Sequence, residues 1–169
     1  SMTPADSERQ ARNLKALLGV AKALASEIKL DNLLQVIVAK AAEVMDAERA
    51  TLFLYDQPRN ELWSKTTQKL EINEIRIPVG VGIAGTVAKT RALINISDAH
   101  ADPRFDPTFD KQTGYRTRSI LCLPLIGNGD SLVGVIQVLN KKNRQTFDEI
   151  DESLLAGLSD HITVALERG

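Results

Sequence analysis

Two long apolar segments near the C-terminal end constrain the fold more than any other feature of the sequence. They run over residues 119–126 and 132–140, and the turn 127–130 (Gly-Asn-Gly-Asp) joins them. Successive side chains of a strand point to opposite faces of a sheet, so a strand that is apolar along nearly its whole length must be covered on both faces. The sequence therefore predicts a hairpin inside a sheet, with other elements packed on each side.

Four shorter segments are bounded by turn residues and have the composition of strands. They are residues 50–55, 61–68, 74–79 and 92–97, with a turn at 56–60 between the first two. A glycine-rich segment, 80–85, leads into a short helix that ends near Thr90. Residues 98–118, which we call the lid, are polar and interrupted by proline and glycine. A loop of this length predicts either a functional cover or a disordered segment.

Apolar residues at both ends of the chain recur every three or four positions, the spacing of amphipathic helices. The patterns cover residues 14–28, 33–45 and 150–165. Asp31 is the expected cap of the second helix, and Thr146 and Glu149 have the spacing of a capping box before the third. This order predicts an α+β domain with a mostly antiparallel sheet of about five to six strands. We expect the terminal helices on one face of the sheet and a lid-covered pocket on the other.

The composition narrows the class of function. A chain of 169 residues, 43% of them hydrophobic, fits one globular domain, and no apolar run reaches the roughly 20 residues that span a membrane. The net charge of −1 gives no electrostatic reason to expect nucleic acid or an anionic membrane as partner. The single cysteine excludes an internal disulfide and fits a reducing cytoplasm. We expect residues 1–13 to be a tag with a linker or helix start, and residues 14–169 to be one domain.

A set of spaced residues begins where the last apolar segment ends. Asn140 and Lys141 are followed by Phe147 and then by Asp151 and Glu152, in the pattern NKxxxxxFxxxDE. This pattern resembles the signature of the cyclic-nucleotide-binding GAF domains of phosphodiesterases and some microbial adenylyl cyclases. Similar residues stand at 77–78, 82–85, 95–96, 119–124 and 134–135, so the resemblance covers roughly residues 14–165. It implies the GAF fold and a regulatory domain that binds a cyclic nucleotide.

The signature also has a direct physical interpretation. Lys141 leaves the last strand and Asp151 lies near the start of the closing helix, so an ion pair between them would tie helix to sheet, with the Phe147 ring at the junction. Removal of one partner of a buried pair costs several kcal/mol. The resemblance implies that this contact lies outside the ligand pocket. We favour support of the fold over transmission of ligand binding, and both roles stay open.

The glycine-rich segment 80–85 has the form GxGxxG and follows a predicted strand. A dinucleotide-binding fold is disfavoured, because the following helix is only about eight residues long and no second βαβ unit follows. Unpaired backbone N–H groups and the helix dipole at residues 82–85 would favour a phosphate. A tight turn that requires glycine explains the same residues equally well.

The resemblance implies a set of ligand-contacting positions. They are Thr51, Gly82, Ile83, Ala84, Gly85, Asp110, Thr113, Thr117 and Gln137. Two places depart from the nucleotide-binding members. Thr67, followed by Gln68 instead of an acid, stands where an aromatic ring often stacks on the purine, and loss of such a ring removes about 1–3 kcal/mol. Asp106 stands where a tyrosine can bind the cyclic phosphate, and its charge would repel that phosphate unless it points away.

No catalytic arrangement is evident in the sequence. His100 lies in the lid and His161 on the closing helix, and neither is close in sequence to Cys122, which falls within an apolar strand. The lid has no cysteine, which argues against covalent attachment of a bilin, and one cysteine is too few for a methionine-sulfoxide-reducing GAF protein. Prolines interrupt the spaced aspartates of the lid, so a solvated loop is favoured over a calcium site. We therefore expect no enzymatic activity, no covalent cofactor and no metal.

Two functions from different classes are consistent with these residues. The first is a sensor in which a cyclic nucleotide closes the lid and the terminal helices drive an output domain. We favour cAMP over cGMP as its ligand because no fixed acidic pair is present to bind guanine, although Gln68 and the threonine hydroxyls both donate and accept. The second is an interaction module that forms a homodimer through helices 14–28 and 150–166 and has a vestigial pocket. A pocket for another small metabolite is a third alternative.

Overall fold

The computed structural model describes the backbone of residues 2–25, 30–68 and 71–168, and their side chains except at 21–25, 30–32, 65–68, 71–73 and 144. The helices of this part are α1 (Pro4–Ala25), α2 (Leu30–Val44), α3 (Gly82–Thr90), α4 (Thr108–Thr113) and α5 (Glu149–Arg168). The strands are β1 (Ala47–Asp56), β2 (Glu61–Gln68), β3 (Glu71–Pro78), β4 (Ile94–Ile96), β5 (Ile120–Ile126) and β6 (Leu132–Lys141). Within these ranges, no helix has both the length and the apolar character needed to cross a membrane.

The strands form one antiparallel sheet in the order β3-β2-β1-β6-β5-β4. The predicted hairpin of β5 and β6 lies inside the sheet, with β1 on one side and the short edge strand β4 on the other. The register brings Gln137 of β6 opposite both Thr51 of β1 and Cys122 of β5. The predicted α+β architecture is confirmed, and segments far apart in sequence meet in the middle of the sheet.

Helices α1, α2 and α5 cover one face of the sheet, which we call the helix face. The buried side chains of this layer include Ile37, Ala41, Met45, Leu52, Leu121, Leu125, Ile136, Val138, Leu155, Leu158 and Ile162. Each large apolar side chain of this kind contributes about 1.5–3 kcal/mol to folding through burial. The terminal helices therefore share one face of the sheet, as their apolar patterns predicted.

Helix α3 and the lid cover the opposite face, which we call the lid face. Its core contains Phe53, Leu62, Ile83, Ala84, Val87, Ile94, Ala99, Ile120, Cys122 and Val135, with Phe105 packed against it. The lid itself contains a 3₁₀ turn at Ala99–Ala101 and the short helix α4. Of the two states that the sequence left open for this segment, the structure shows an ordered cover that is anchored by apolar side chains.

The first two helices begin earlier than their apolar patterns suggest. Helix α1 begins at Pro4 instead of near Leu14, and its first turn is closed by reciprocal hydrogen bonds between Thr3 and Asp6. Helix α2 begins at Leu30, so Asp31 lies inside the helix and is not its cap. The prediction for Asp31 was wrong because a capping residue inside a helical segment cannot be told from a first-turn acid by its type alone.

The capping box of α5 is formed by a different pair of residues from the one predicted. The N–H of Asp148 donates to Asp151 Oδ2 and the N–H of Asp151 donates to Asp148 Oδ1, each at 2.9 Å. Helix α5 starts at Glu149, which makes Asp148 the cap and places Asp151 three residues later. The prediction that assigned these roles to Thr146 and Glu149 was therefore wrong by two residues, because Thr/Glu and Asp/Asp pairs with the same spacing overlap here.

Candidate functional site

Two polar side chains lie side by side on the lid face of the sheet. Thr51 and Gln137 are register partners on β1 and β6, and both are half-buried. Their neighbours on this face, Phe53 and Cys122, belong to the core that packs under α3. Among the described residues, no hydrogen bond is formed by the Thr51 hydroxyl or by the Gln137 amide. This pair, which we call the floor, therefore has donors and acceptors available to a ligand.

The turn before α3 is determined by its own backbone. The N–H of Gly80 donates to the carbonyl of Gly85 at 2.7 Å, and Gly80 has a φ of 95°, which favours glycine. A Cβ at position 85 would lie 2.7 Å from the carbonyl oxygen of Pro78, so a larger residue does not fit there. Of the two explanations that the sequence allowed for residues 82–85, the tight turn accounts for glycine at this position without a bound phosphate.

A buried carboxylate organises the lid. Asp110 accepts hydrogen bonds from the N–H and the hydroxyl of Thr117, and its other contact is His100 Nε2, all at 2.8 Å. The side chain of Asp110 is 4% exposed. Burial opposes its ionisation, but the donors from Thr117 and His100 together hold the pKa of Asp110 below its usual value. The structure thus brings together Asp110 and Thr117, both predicted ligand contacts, and bonds them to each other.

The other two predicted lid contacts are exposed and bonded locally. The hydroxyl of Thr113 donates to the carbonyl of Phe109 at 2.8 Å. The carboxylate of Asp106 accepts from the hydroxyl of Thr108 at 2.6 Å and from its N–H at 3.0 Å, and these bonds lower the pKa of Asp106. The hydrogen-bond partners of both residues therefore lie within the lid.

The side chains of Thr67 and Gln68 lie outside the described residues, so their predicted contact with a base stays a prediction. Their backbones end β2, opposite Ile72 and Glu71 of β3.

Cys122 is fully buried on the lid face, and burial raises the pKa of its thiol, which disfavours the reactive thiolate.

The signature residues form a buried cluster where β6 meets α5, which we call the signature cluster. Lys141 Nζ lies 3.0 Å from Asp151 Oδ1 and donates to the carbonyl of Met45 at 2.8 Å. The Phe147 ring lies beside the ammonium group, with 5.9 Å between Nζ and the ring centroid. Burial, together with the charge of Asp148, raises the pKa of Asp151 by more than the N–H of Asp148 and the Lys141 ammonium lower it. The ion pair expected from the sequence is thus present, away from the floor.

Asn140 joins this cluster to the end of the lid. It has a positive φ of 58° and is fully buried. Its Oδ1 accepts from the backbone N–H of Arg118 at 2.6 Å and of Ser119 at 3.2 Å. Its amide N–H group donates to Glu48 Oε1, the Tyr115 hydroxyl and the Arg116 carbonyl at 3.1, 2.9 and 2.8 Å. Asn140 therefore fixes the point at which the lid returns to the sheet.

Tyr115 and Glu48 are the residues of this region that sequence reasoning missed. The Tyr115 hydroxyl donates to Glu48 Oε1 at 2.9 Å. Burial and the hydrogen bond to Glu48 raise the pKa of Tyr115 to about 12. No local pattern marks either residue, because strand pairing alone brings β1 beside the end of the lid.

Glu152 holds the other end of the lid. Asn95 of the edge strand β4, just before the lid, donates through Nδ2 to Glu152 Oε2 at 2.7 Å and to the Phe147 carbonyl at 3.0 Å. The signature cluster consequently contacts both the entry and the exit of the lid.

Known proteins resemble this chain in sequence. A family model of the GAF domain matches residues 29–166. The chain is 32% identical over 164 residues to the dual 3',5'-cyclic-AMP and -GMP phosphodiesterase 11 of Drosophila melanogaster, an overlap of 88% of this chain and 11% of that protein. It is 34% identical over 143 residues to the cGMP-specific 3',5'-cyclic phosphodiesterase of Drosophila virilis, covering 76% of this chain and 16% of that protein. The chain thus spans less than a fifth of the length of these curated relatives.

Solved structures share the fold at lower sequence identity. The GAF domain of a phosphoenolpyruvate-protein phosphotransferase from Coxiella burnetii superposes with a TM-score of 0.82 at 23% identity, covering 94% of this chain and 95% of that one. Free methionine-R-sulfoxide reductase from Neisseria meningitidis, in complex with its substrate, gives 0.78 at 22% identity, covering 99% and 94%. Proteins with such different names share this fold, so the fold alone does not determine a ligand.

Proposed function

Since this chain belongs to the GAF domain family, whose model matches residues 29–166, we propose that it is a sensor that binds a cyclic nucleotide between the floor and the lid. The observation that carries the proposal is the floor itself. Thr51 and Gln137 present polar groups without hydrogen-bond partners among the described residues, on the face that α3 and the lid cover. A few placed polar groups in apolar surroundings are typical of small-molecule sites.

The roles of the candidate residues differ under this proposal. Thr51 and Gln137 contact the ligand directly, and the start of α3, residues 82–85 with Ile83 and Ala84, forms the opposing wall. Asp110 and Thr117 act through each other, because their polar groups are engaged in the lid network. Thr113 and Asp106 contact a ligand only if the lid exchanges its internal bonds for bonds to the nucleotide.

We propose cAMP as the preferred nucleotide. The floor offers an amide and a hydroxyl, which donate and accept, and no fixed pair of carboxylates to bind the donor edge of guanine. The names of the relatives include both a dual-specificity and a cGMP-specific enzyme, so cGMP is the direct competitor in any test. Lid closure on the nucleotide would alter the positions of α1 and α5 and so control an output domain in the cytoplasm.

Calorimetric titration of the domain with cAMP and cGMP tests this proposal. Binding at micromolar concentration or tighter is expected for one of them. Gln137→Met keeps the side-chain volume but removes the hydrogen bonds, and should weaken binding about two- to tenfold. Gln57→Met, in the exposed turn after β1, is the matched control and should leave the affinity unchanged. Absence of heat from either nucleotide with wild-type protein would refute the proposal.

An interaction module is the second candidate, supported by the exposed leucines of α1. Leu14 and Leu18 are 58% and 60% exposed and lie four residues apart, on one side of the helix. A homodimer through the terminal helices would cover them. Light scattering of wild-type protein and of a Leu14→Gln, Leu18→Gln variant tests this, and a monomer at all concentrations would exclude it.

A further inference from the structure

A continuous series of polar contacts connects the lid to helix α1. It begins where Asn140 binds the exit of the lid and continues to Lys141, the next residue, whose backbone N–H donates to Ser119 Oγ at 3.1 Å. From Lys141 it passes through the buried ion pair to Asp151. Each group in this part is buried, so a displacement of one is transmitted to its partner instead of being absorbed by solvent.

The series continues through the capping box of α5. Asp148 and Asp151 exchange hydrogen bonds, so Asp151 cannot move without displacing Asp148 or breaking the cap. Asp148 uses its two carboxylate oxygens for different elements. Oδ1 accepts from the α5 backbone, whereas Oδ2 lies 2.5 Å from Arg9 Nη2 on α1. The Asp148 carboxylate therefore accepts hydrogen bonds from both terminal helices.

The contact between Arg9 and Asp148 is exceptional for α1. Among the described side chains of α1, residues 4–20, it is the only hydrogen bond or ion pair to a residue that follows the helix in the chain. The other contacts of α1 with α5 and α2 are apolar side-chain packing, which is not directional. In this described part of α1, one polar contact therefore specifies the position of the helix along and around α5.

Arg9 makes this contact with one nitrogen. Nη2 binds the carboxylate, whereas Nε is buried and has no partner among the described residues. A guanidinium can bind a carboxylate through two parallel hydrogen bonds. A second bond through Nε would allow the ion pair to persist while α1 changes position.

We propose that the Arg9–Asp148 ion pair is the joint through which the geometry of the lid is passed to helix α1. Both are positioning residues and neither contacts a ligand. The proposal goes beyond nucleotide binding, because it applies to any event that shifts the end of the lid.

A double-mutant cycle read by hydrogen exchange tests the joint without any ligand. Asn140→Ala releases the end of the lid, and Asp148→Asn removes the charge that holds Arg9 while keeping a residue type that caps helices well. With Asp148 present, Asn140→Ala should raise the exchange rate of peptides from residues 4–25 about threefold or more. With Asn at 148, the same change should alter those rates by less than about 1.5-fold.

Matched variants make the result specific. Arg9→Gln should abolish the coupling as Asp148→Asn does. Arg12→Gln on α1 and Asp160→Asn on α5 remove exposed charges and should leave it intact. Tyr115→Phe replaces Asn140→Ala as the perturbation if that variant does not fold, since it removes one bond to Asn140.

Two outcomes would overturn the proposal. One is an equal response of α1 to the lid variant in both backgrounds, and the other is no response of α1 when Asp148 is present. A failure of cAMP and cGMP to bind would instead refute the proposed ligand and leave the result of this cycle unaffected.

Discussion

The signature cluster and the floor are both polar regions of one sheet, yet they differ in how their polar groups are used. In the signature cluster, Lys141 and Asp151 are buried and bonded to each other and to the backbone. On the floor, the side chains of Thr51 and Gln137 are half-buried and form no hydrogen bonds among the described residues. The first arrangement stabilises a fold, whereas the second leaves groups available for binding.

This difference determines what each set of residues says about function. A complete signature indicates that the helix face, the sheet and both ends of the lid are held together. It does not identify a ligand, because none of its side chains lies on the floor. Under the proposed function, the choice of ligand would depend on a few half-buried groups, and at such positions members of one family can diverge while the fold is kept.

The largest effect that would sharpen this comparison is expected from Asp151→Ala. The variant leaves the Lys141 ammonium buried without its counter-ion and removes half of the α5 capping box. Loss of one partner of a buried pair costs about 3–5 kcal/mol. For a domain of this size we expect the melting temperature to fall by about 6–20 °C, measured by circular dichroism.

A double variant provides the control for this prediction. Lys141→Met combined with Asp151→Leu replaces both charges by apolar side chains and should recover at least half of the loss, since no unpaired charge remains. An unaltered melting curve for Asp151→Ala would show that the cluster does not support the fold, and the contrast with the floor would fail.

Much of the fold could be predicted because it depends on local patterns. The inner hairpin follows from two apolar runs, and the three helices of the helix face follow from apolar periodicity. The Lys141–Asp151 pair could be anticipated because strand β6 and helix α5 are separated by a short connection. In each case the relevant residues are neighbours in sequence or belong to one periodic element.

The contacts that could not be predicted from the sequence join segments that are far apart in the chain. Tyr115, Glu48 and Asn140 are bonded together only because β1 and β6 pair. The internal network of the lid was missed for a related reason. A threonine and an aspartate in a polar loop look equally suited to bind a ligand or each other, and only the closed geometry around Asp110 distinguishes the two uses.

The second prediction concerns that lid network. Asp110→Asn places an amide N–H group where the carboxylate accepted donors from Thr117 and His100. Loss of these bonds should cost about 1–3 kcal/mol. We expect faster hydrogen exchange throughout residues 98–118 and a melting temperature about 2–12 °C lower. The exposed Asp98→Asn change in the same segment is the control and should alter neither quantity.

Asp110→Asn should also change how the stability of the protein depends on pH in the acid range. The pKa of Asp110 is lowered in the folded state, so its contribution is fully present above the unfolded value of about 3.9 and is lost as the pH falls through the folded value. Wild-type protein should therefore lose stability below about pH 4 more steeply than Asp110→Asn. Parallel curves would contradict the assignment of Asp110 as the charge that closes the lid.

The third prediction tests Tyr115, which joins the signature cluster to the end of the lid. Tyr115 has its pKa raised to about 12, so it keeps its proton in the folded state at pH values where the unfolded chain has lost it. Its contribution is present below the unfolded value of about 10 and is lost as the pH rises towards 12. Because the Tyr115 ring is partly exposed, we expect its ionisation to lower the stability by about 1 kcal/mol, or the melting temperature by about 2–4 °C.

Comparison with a phenylalanine variant isolates this contribution. Between pH 10 and 12, the melting temperature of wild-type protein should fall further than that of Tyr115→Phe, which has no hydroxyl to ionise. Tyr55→Phe, which removes a hydroxyl bonded to Asn60 near the far end of β1, serves as the reference for general alkaline effects. Equal slopes for wild type and Tyr115→Phe would mean that the Tyr115 hydroxyl is not held by Glu48 and Asn140.

The smallest effect is expected from Asp106→Asn, which separates ligand binding from folding most cleanly. Asp106 is exposed and accepts hydrogen bonds from Thr108, which an asparagine oxygen can also accept, so the melting temperature should be unchanged. If a cyclic phosphate binds nearby, removal of the negative charge should tighten binding by about fivefold, because like charges about 4 Å apart in water repel by about 1 kcal/mol. Calorimetric titration with cAMP measures this change. An affinity equal to that of wild-type protein would place the phosphate away from the lid and leave the floor as the principal contact with the nucleotide.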